Sequence, residues 1–335
     1  MSRSLNGSNA RHTDRYFIDD NSQIADSRRN IVLRAGDAGF DADRRNDIGI
    51  AVTELSTNLL KHAGGGELLV RADTTGVYVL SLDKGPGRGD IHECLTDGYS
   101  TSSSPGTGLG AMQRLSSTFD IYSLKDHGTA IALSFELQPT MKSVKIGALS
   151  IPYEGEDVCG DAWEVIEQPD RILMLMIDGI GHGTGAYNAA SEGVRIFTAN
   201  QMRSPIEIID AIHLALHSTR GAAVMVASLE PEKGLIRVAG IGNCAGTVVR
   251  ADFRRGLVSM NGTAGHGTIK PKEFTAPWQK DDILILHTDG LQTHWDINPY
   301  PGLISKDPAL LTGILYRDFT RGRDDVTVLA VQMRS

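Results

Sequence analysis

The chain has 335 residues, enough for two domains at about 100–200 residues each. Hydrophobic residues make up 41% and charged residues 22%, a composition that excludes an intrinsically disordered chain. Lys and Arg number 33 against 41 Asp and Glu, so the formal net charge is −8. This charge argues against a nucleic-acid-binding protein, because no basic excess is available to neutralise phosphates.

The first half of the sequence has a pattern of helices followed by strands. Residues 1–15 are polar and are predicted to form a flexible tail, without the apolar core of a signal sequence. Further along, apolar residues recur at helical spacing, and short apolar runs bounded by turn residues follow them. This order favours helices packed on one face of a mixed or antiparallel sheet. The predicted elements are helices at 23–40, 43–63 and 109–117, and strands at 67–72, 77–82, 119–124 and 129–136.

A second, strand-rich pattern starts at residue 144, and residues 139–143 are predicted to form the boundary between two domains. We therefore expect an α+β fold with domains at 16–139 and 144–335. In the second domain, a central pair of helices is expected to pack outside a pair of sheets. The predicted elements are helices at 185–200, 205–218 and 308–319, and strands at 144–149, 162–167, 172–177, 222–229, 234–241, 246–251, 283–286 and 326–332.

The sequence favours a cytoplasmic location. No apolar run approaches the roughly 20 residues that a membrane-spanning helix needs. Cys94, Cys159 and Cys244 are odd in number and widely spaced, which predicts neither a disulfide framework nor a metal knuckle.

Polar and glycine-rich segments form a constellation in the first half. Glu54 and Asn58 lie four residues apart and share one face of a predicted helix, although such a face is equally well a solvated surface. Asp83 follows a strand directly and is followed by glycines at 85 and 87, which let the backbone approach a ligand. Residues 106–110 then open a helix, where backbone N–H groups favour phosphate binding. Two such loops in this order favour a nucleotide site.

These segments resemble the N, G1, G2 and GT boxes of GHKL ATP-binding domains. Within that group, residues 53–58, 62–66 and 97–101 are similar to the RsbT-like serine/threonine kinases of partner-switching systems. The resemblance covers 23–135 and implies a GHKL (Bergerat) α/β sandwich. The matching blocks are Glu54…Asn58, Asp83-Lys84-Gly85-Pro86-Gly87, Gly106-Thr107-Gly108-Leu109-Gly110 and Gly128-Thr129.

The resemblance implies a role for each matched residue. Asp83 would bind the adenine amino group, Asn58 would hold Mg²⁺, and Glu54 would be the general base toward a serine or threonine hydroxyl. Residues 91–105 would form the lid over ATP. Arg88 replaces a residue that is usually apolar, and we expect it to be exposed. The implied ATP-binding residues are Asn58, Lys61, His62, Asp83, Gly85, Gly87, Gly106, Thr107, Gly108, Leu109, Gly110 and Thr129.

Four aspartates in the second half lie at or near the ends of predicted strands. Any one Asp-Gly pair is most often a turn. Four carboxylates brought together by strand ends instead favour a site for hard divalent cations such as Mg²⁺ or Mn²⁺, which prefer oxygen ligands. Two such ions can activate water for attack on phosphorus. The four residues are Asp161, Asp178, Asp289 and Asp324.

The surrounding residues resemble PPM-type (type 2C) serine/threonine phosphatases, and fit the SpoIIE and RsbX branch best. The resemblance covers 144–333 and implies an α-β-β-α sandwich with two Mg²⁺ or Mn²⁺ ions. The carboxylates of Asp161, Asp178, Asp289 and Asp324 and the carbonyl of Gly179 would be the metal ligands. The segments that carry the resemblance are Asp178-Gly179-Ile180-Gly181-His182-Gly183, Gly242-Asn243, Thr288-Asp289-Gly290 and Asp324-Asp325-Val326-Thr327.

Three positions near these motifs need separate interpretation. Asp325 stands where other members have asparagine, and would support the ligands from behind. Cys159 occupies a position that is commonly glycine. His182 could donate a proton to the leaving serine or line the site, and the alternative is a loop histidine with a structural hydrogen bond.

The two resemblances together indicate a bifunctional partner-switching regulator. The first domain would phosphorylate, and the second dephosphorylate, serine or threonine on a STAS-domain protein that resembles an anti-sigma-factor antagonist. The alternative is a phosphatase regulated by an ATP-binding module that transfers no phosphate. The sequence predicts no nucleic-acid or membrane partner, and it leaves the oligomeric state open.

Overall fold

The protein is described by a computed structural model over residues 11–89, 108–138, 143–251 and 253–334. In the described part of the first 140 residues, three α-helices accompany five strands. The helices are α1 (Asn21–Ala38), α2 (Ala42–Asn58) and α3 (Gly108–Leu115). The strands are β1 (Thr13–Ile18), β2 (Gly66–Asp73), β3 (Gly76–Leu82), β4 (Thr118–Ser123) and β5 (Thr129–Glu136).

The remaining residues form ten strands and three α-helices within the described ranges. The helices are α4 (Thr184–Ala199), α5 (Pro205–Ala215) and α6 (Pro308–Phe319). The strands are β6 (Val144–Ile151), β7 (Asp161–Glu167), β8 (Ile172–Gly179), β9 (Ala222–Glu230), β10 (Leu235–Ile241), β11 (Ala245–Arg250), β12 (Phe253–Leu257), β13 (Glu273–Pro277), β14 (Ile283–His287) and β15 (Val326–Met333).

The chain divides into two units. The first consists of residues 1–140 and 297–314, and the second of residues 141–296 and 315–335. The sequence-based prediction places all of 144–335 in one domain, and the structure differs from it for 297–314.

Polar contacts with β4 account for the position of 297–314 in the first unit. The Lys306 ammonium lies 3.0 Å from an Asp120 carboxylate oxygen. The Tyr122 hydroxyl donates a hydrogen bond to the Pro301 carbonyl oxygen at 3.1 Å. These partners are 179 and 186 residues apart in sequence, so no local pattern could indicate them.

The first unit is built on an antiparallel sheet in the order β1-β2-β3-β5-β4. Helices α1 and α2 begin at side-chain caps: the Asp20 carboxylate accepts from the backbone N–H of Ser22 and Gln23, and the Asp41 carboxylate accepts from that of Arg44. The buried face of α2 is apolar at helical spacing and packs in the same core as the sheet. The predicted arrangement of helices on one face of an antiparallel sheet is therefore confirmed.

Strand β1 contradicts the prediction of a flexible tail through residue 15. It pairs antiparallel with β2, from Thr13 opposite Arg71 to Ile18 opposite Gly66. Both end residues, Thr13 and Ile18, are buried. The strand lies at the edge of the sheet, where polar residues are common, and its composition therefore gave little signal.

The second unit contains two five-stranded antiparallel sheets, ordered β13-β10-β9-β8-β7 and β12-β11-β14-β15-β6. One apolar core lies between them, with Trp163 and Met225 from one sheet and Leu286 and Leu329 from the other. A second core joins β8, β9 and β10 to α4 and α5. The α+β class is confirmed, whereas the short strands β12 and β13 were missed. Within the described ranges, no helix is both long and apolar enough to cross a membrane.

Candidate active sites

Helix α2 positions the candidate base and cation ligand of the first unit. Glu54 lies in its last turns and Asn58 is its final residue. The chain then widens into a π-helical turn, Leu59–Ala63, that carries Lys61 and His62. Such π-helical turns are rare in proteins, and many of those that occur lie at functional sites. The π-helical turn therefore supports a functional site at this end of α2.

The glycine-opened helix α3 lies directly against Glu54. A Cβ atom added to Gly108 would be only 2.8 Å from Glu54 Oε2. The structure therefore brings Glu54 together with Gly108 and with the next two predicted phosphate-binding residues, Leu109 and Gly110, in the first turn of α3. The other two, Gly106 and Thr107, lie outside the described residues, as do the predicted lid at 91–105 and Cys94.

Asp83 is held where β3 ends. Its Oδ1 accepts hydrogen bonds from the backbone N–H of Gly85 at 2.8 Å and of Thr129 at 3.1 Å. Its own backbone N–H donates to the Thr129 carbonyl at 3.0 Å. Three of the residues that the resemblance assigns to ATP binding, Asp83, Gly85 and Thr129, are thus brought together, and backbone donors fix the orientation of the carboxylate.

Gly128 gives a direct test of this junction. Its φ is +77°, and a Cβ atom there would overlap the Asp83 carbonyl oxygen. We expect Gly128→Ala to destabilise the protein by about 1–3 kcal/mol and to weaken binding of a fluorescent ATP analogue. Gly64→Ala is the matched control, because Gly64 has φ +74° but open space around it. Equal melting temperatures for the two variants would contradict the close approach.

Arg88 is exposed, as the sequence analysis expects. Its electrostatic effect on His62 was not predicted from the sequence. Burial lowers the pKa of His62, and the positive charges of Arg88 and Lys61 lower it further. Arg88 and Lys61 therefore bring positive charge next to His62, of the sign suited to an anionic ligand, and they disfavour protonation of His62 itself.

Ser123 is another residue that the motifs did not indicate. Its hydroxyl accepts from the Arg88 backbone N–H at 2.8 Å and lies 2.8 Å from the Thr129 hydroxyl. Ser123 therefore links the segment that contains Arg88 to the segment that contains Thr129. A single serine at the end of a strand gives no sequence signal for such a link.

In the second unit, Asp161 and Asp178 lie directly opposite each other in the β7–β8 pair. The Thr288 hydroxyl donates to Asp161 Oδ2 at 2.7 Å and accepts from the Thr327 backbone N–H at 3.0 Å. Thr288 precedes Asp289 at the end of β14, so this hydrogen bond joins the two sheets at the carboxylates.

The other acids are also held by hydrogen bonds. Asn243 donates to Asp289 Oδ2 at 2.6 Å. The Asp325 carboxylate accepts from the backbone N–H of Tyr153 at 2.8 Å and of Gly160 at 2.9 Å. Asp325 is only 2% exposed, so its carboxylate supports the loop before Asp161 from within the protein.

The carboxylates of the second unit repel one another. Burial and the neighbouring Asp289, Asp324 and Asp325 charges raise the pKa of Asp178 to about 8. Burial, followed by the Asp178 charge, raises the pKa of Asp161 well above its ordinary value. Burial also raises the pKa of Asp324, with a further contribution from Asp289.

This donor set fits hard divalent cations. It offers several carboxylate oxygens, and a bound cation would relieve their mutual repulsion. Within the described ranges, no three His, Cys, Asp or Glu side chains converge into a preformed cage for an ion. The fit therefore rests on the oxygen donors and their charge.

The metal-free protein is expected to lose thermal stability as the pH rises. With the pKa of Asp178 raised from 3.8 to about 8, the folded protein holds a proton that the unfolded chain releases. The stabilisation is complete below pH 3.8 and is lost as the pH rises through 8. Melting curves of chelator-treated protein between pH 5 and 9 measure it. The fall in melting temperature per pH unit should be smaller in Asp178→Asn than in the wild type. An equal fall in the two proteins would contradict the raised pKa of Asp178.

His182 lies beside this cluster. Its Nδ1 is 2.6 Å from Glu156 Oε1, and its ring is tilted over Tyr153 at 5.1 Å between centroids. Half of its side chain is exposed. Both predicted roles stay open: an exposed imidazole beside a carboxylate is suited to proton transfer, and the same pair equally well orders the loop.

His287 and the three tryptophans have structural positions. His287 Nε2 accepts from the Trp295 indole N–H at 3.1 Å, and its Nδ1 donates to the Thr288 carbonyl at 2.8 Å. Trp163, Trp278 and Trp295 are at most 5% exposed, as expected of packing residues. Cys159 and Cys244 are buried free thiols, and burial raises the pKa of both.

Sequence comparison finds relatives for both halves of the chain. Residues 19–135 match the histidine kinase-like ATPase domain family, and residues 168–334 match the stage II sporulation protein E (SpoIIE) family. The serine/threonine-protein kinase RsbT of Bacillus subtilis is 35% identical over 107 residues, 31% of this chain and 78% of RsbT. The phosphoserine phosphatase RsbX of the same organism is 25% identical over 186 residues, 54% of this chain and 90% of RsbX.

Solved structures agree with the fold of the second half. A structure reported for the bacterial stressosome, a modular system adapted to control secondary messenger signalling, has a TM-score of 0.54 at 24% identity. It covers 57% of this chain and 100% of that one. RsbX in complex with magnesium has a TM-score of 0.50 at 21% identity and covers 58% of this chain and 98% of that one.

Proposed function

The chain belongs to the RsbT family through its N-terminal domain and carries a SpoIIE domain homologous to RsbX, and we propose that it is a bifunctional partner-switching regulator. Its substrate is a serine or threonine of a STAS-domain protein that resembles an anti-sigma-factor antagonist. Within this proposal we assign the kinase domain to residues 16–139 and the phosphatase domain to residues 144–335, apart from 297–314, which belong to the first unit, and we infer a cytoplasmic location. The observation that carries the proposal is that one chain holds both a nucleotide-type constellation and a repelling carboxylate cluster.

In the kinase domain, binding and orientation are the main tasks of the protein. Asp83, fixed by the N–H groups of Gly85 and Thr129, accepts a hydrogen bond from the adenine amino group. Asn58 provides an oxygen ligand for Mg²⁺, which would neutralise phosphate charge. Glu54, which lies against Gly108, takes the proton from the attacking hydroxyl. These roles fit phosphoryl transfer, in which positioning and charge neutralisation dominate.

In the phosphatase domain, the carboxylates of Asp161, Asp178, Asp289 and Asp324 and the carbonyl of Gly179 would hold two Mg²⁺ or Mn²⁺ ions. When bound, such ions would acidify a water molecule and neutralise phosphate charge. Thr288 and Asn243 orient two of the carboxylates through the hydrogen bonds described above. His182 is the candidate donor of the proton to the leaving serine. The Glu156 carboxylate orients the His182 imidazole through its contact with Nδ1.

The two opposed activities set the phosphorylation level of the partner, and an input biases one of them. In the alternative function, the first domain binds ATP and a partner but transfers no phosphate, and controls the phosphatase by contact. The position of Glu54 against the glycine-opened helix favours catalysis, because a module that only binds ATP needs no base there.

The proposal is tested with the full chain, a purified candidate STAS-domain protein, ATP and Mg²⁺. We expect phosphate on one serine or threonine, mapped by mass spectrometry, and its removal after ATP is depleted and Mn²⁺ is added. ATP binding without transfer would favour the alternative function. Absence of Mn²⁺-dependent removal would overturn the phosphatase assignment.

A further inference from the structure

Arg220 is an exposed arginine directly before β9, the strand that pairs with the end of β8 that carries Asp178. The next residue, Gly221, accepts a hydrogen bond at its carbonyl from the Ile180 backbone N–H at 3.0 Å. From there β9 pairs with β8, with Ala222 opposite Gly179 and Ala223 opposite Asp178. The backbone of Arg220 is therefore fixed just beyond the strand end that carries a predicted metal ligand.

The side chain of Arg220 lies over the loop that follows Asp178. A Cβ atom added to Gly181 would be 3.5 Å from its Nη1, and one added to Gly185 would be 2.5 Å from its Nε and 2.6 Å from its Cζ. The guanidinium thus lies between two glycines on either side of His182. The backbone carbonyl oxygen of Arg220 lies 2.9 Å from His266 Nε2, and this second contact fixes the position of Arg220.

Gly185 is informative because its backbone has no need of a glycine. It lies in the first turn of α4 and, unlike Gly181 and Gly183, does not have a positive φ. Apart from proline, glycine is the poorest residue for a helix interior. The contact with Arg220 explains its presence, because any larger residue would displace the guanidinium.

The guanidinium has no charged partner in the part of the chain that the structure describes. The nearby acids are otherwise engaged: Glu156 pairs with His182, and Asn243 donates to Asp289. A planar guanidinium offers several N–H donors in a geometry that matches a phosphate group, and it stays charged at all working pH values.

We propose that Arg220 is the phosphate-binding residue of the phosphatase site, where it receives the phosphoryl oxygens of the substrate phosphoserine or phosphothreonine. This inference rests on the proposed phosphatase function and adds a residue that neither the motifs nor the aspartate pattern indicated. Gly185 is its positioning partner, because it leaves the space in which the guanidinium lies.

The probe is inorganic phosphate, the product of the reaction, titrated calorimetrically into the full chain with saturating Mn²⁺. Arg220→Ala should weaken phosphate binding by about 10- to 100-fold, and Arg220→Lys should recover part of it. Gly185→Ala should also weaken binding, although the arginine is still present. Arg203→Ala removes an exposed arginine elsewhere in the second unit and should bind phosphate as the wild type does.

Two further measurements separate the possible outcomes. Mn²⁺ titration of each variant should match the wild type, because Arg220 holds no metal. The KM for p-nitrophenyl phosphate should rise in Arg220→Ala in parallel with the loss of phosphate affinity. Wild-type phosphate affinity in Arg220→Ala at equal Mn²⁺ occupancy would overturn this inference alone. A wild-type protein without Mn²⁺-dependent hydrolysis would overturn the proposed phosphatase function as well.

Discussion

The double variant Asp178→Asn, Asp289→Asn should lose Mn²⁺-dependent phosphatase activity by about 10³-fold or more, because several kcal/mol of transition-state stabilisation depend on the bound cations. Replacing two carboxylates by amides removes two negative charges while it preserves side-chain shape. Burial, followed by repulsion from the neighbouring carboxylates, raises the pKa of Asp178, so the variant should fold at least as stably as the metal-free wild type.

Initial rates with p-nitrophenyl phosphate and Mn²⁺, combined with melting curves, measure this effect. Asp170→Asn is the matched control, because Asp170 is an exposed acid in the turn before β8 and should leave the rate unchanged. Full activity in the double variant would contradict the assignment of the aspartates. A loss of activity together with loss of the folded state would require the single variants to be compared.

Glu54→Gln should reduce phosphoryl transfer by about 10²- to 10⁴-fold, the contribution of a positioned general base. The amide keeps the shape of the side chain against Gly108, so ATP binding should stay within a few-fold of the wild type. This combination is the signature of a catalytic group, as distinct from one that only binds nucleotide.

Transfer to a STAS-domain protein and binding of a fluorescent ATP analogue provide the two readouts. Asp37→Asn, an exposed acid on α1, is the control that should change neither of them. Unchanged transfer in Glu54→Gln would show that Glu54 is not the base. A wild-type chain that binds the nucleotide but produces no ADP would support the alternative of a non-catalytic module.

The fold was largely predictable because most elements follow strong local rules. Helices α1 and α2 have apolar residues at helical spacing and acidic caps, and the central strands of the second unit are continuous apolar runs. The elements missed are edge strands such as β1, β12 and β13, whose residues are largely exposed or polar. Edge strands depend on pairing with a distant partner, which the local sequence does not specify.

The same distinction between local patterns and long-range contacts applies to the residues of the candidate sites. The motifs pointed to Glu54, Asp83 and the four aspartates because glycine-rich turns and acids at strand ends are local patterns. Ser123 and Arg220 were not identified from the sequence, and Thr288 was named only as part of a motif, because the roles of all three depend on contacts across the fold. The packing of 297–314 with the first unit was missed for the same reason.

The central claim is that one chain both adds and removes the same phosphate. Its most direct test is the steady-state phosphorylation of a STAS-domain partner by the full chain with ATP, Mg²⁺ and Mn²⁺. The account predicts an intermediate level for the wild type, almost none for Glu54→Gln, and nearly complete phosphorylation for Asp178→Asn. The same level in all three proteins, or a shift in one direction for both variants, would contradict it.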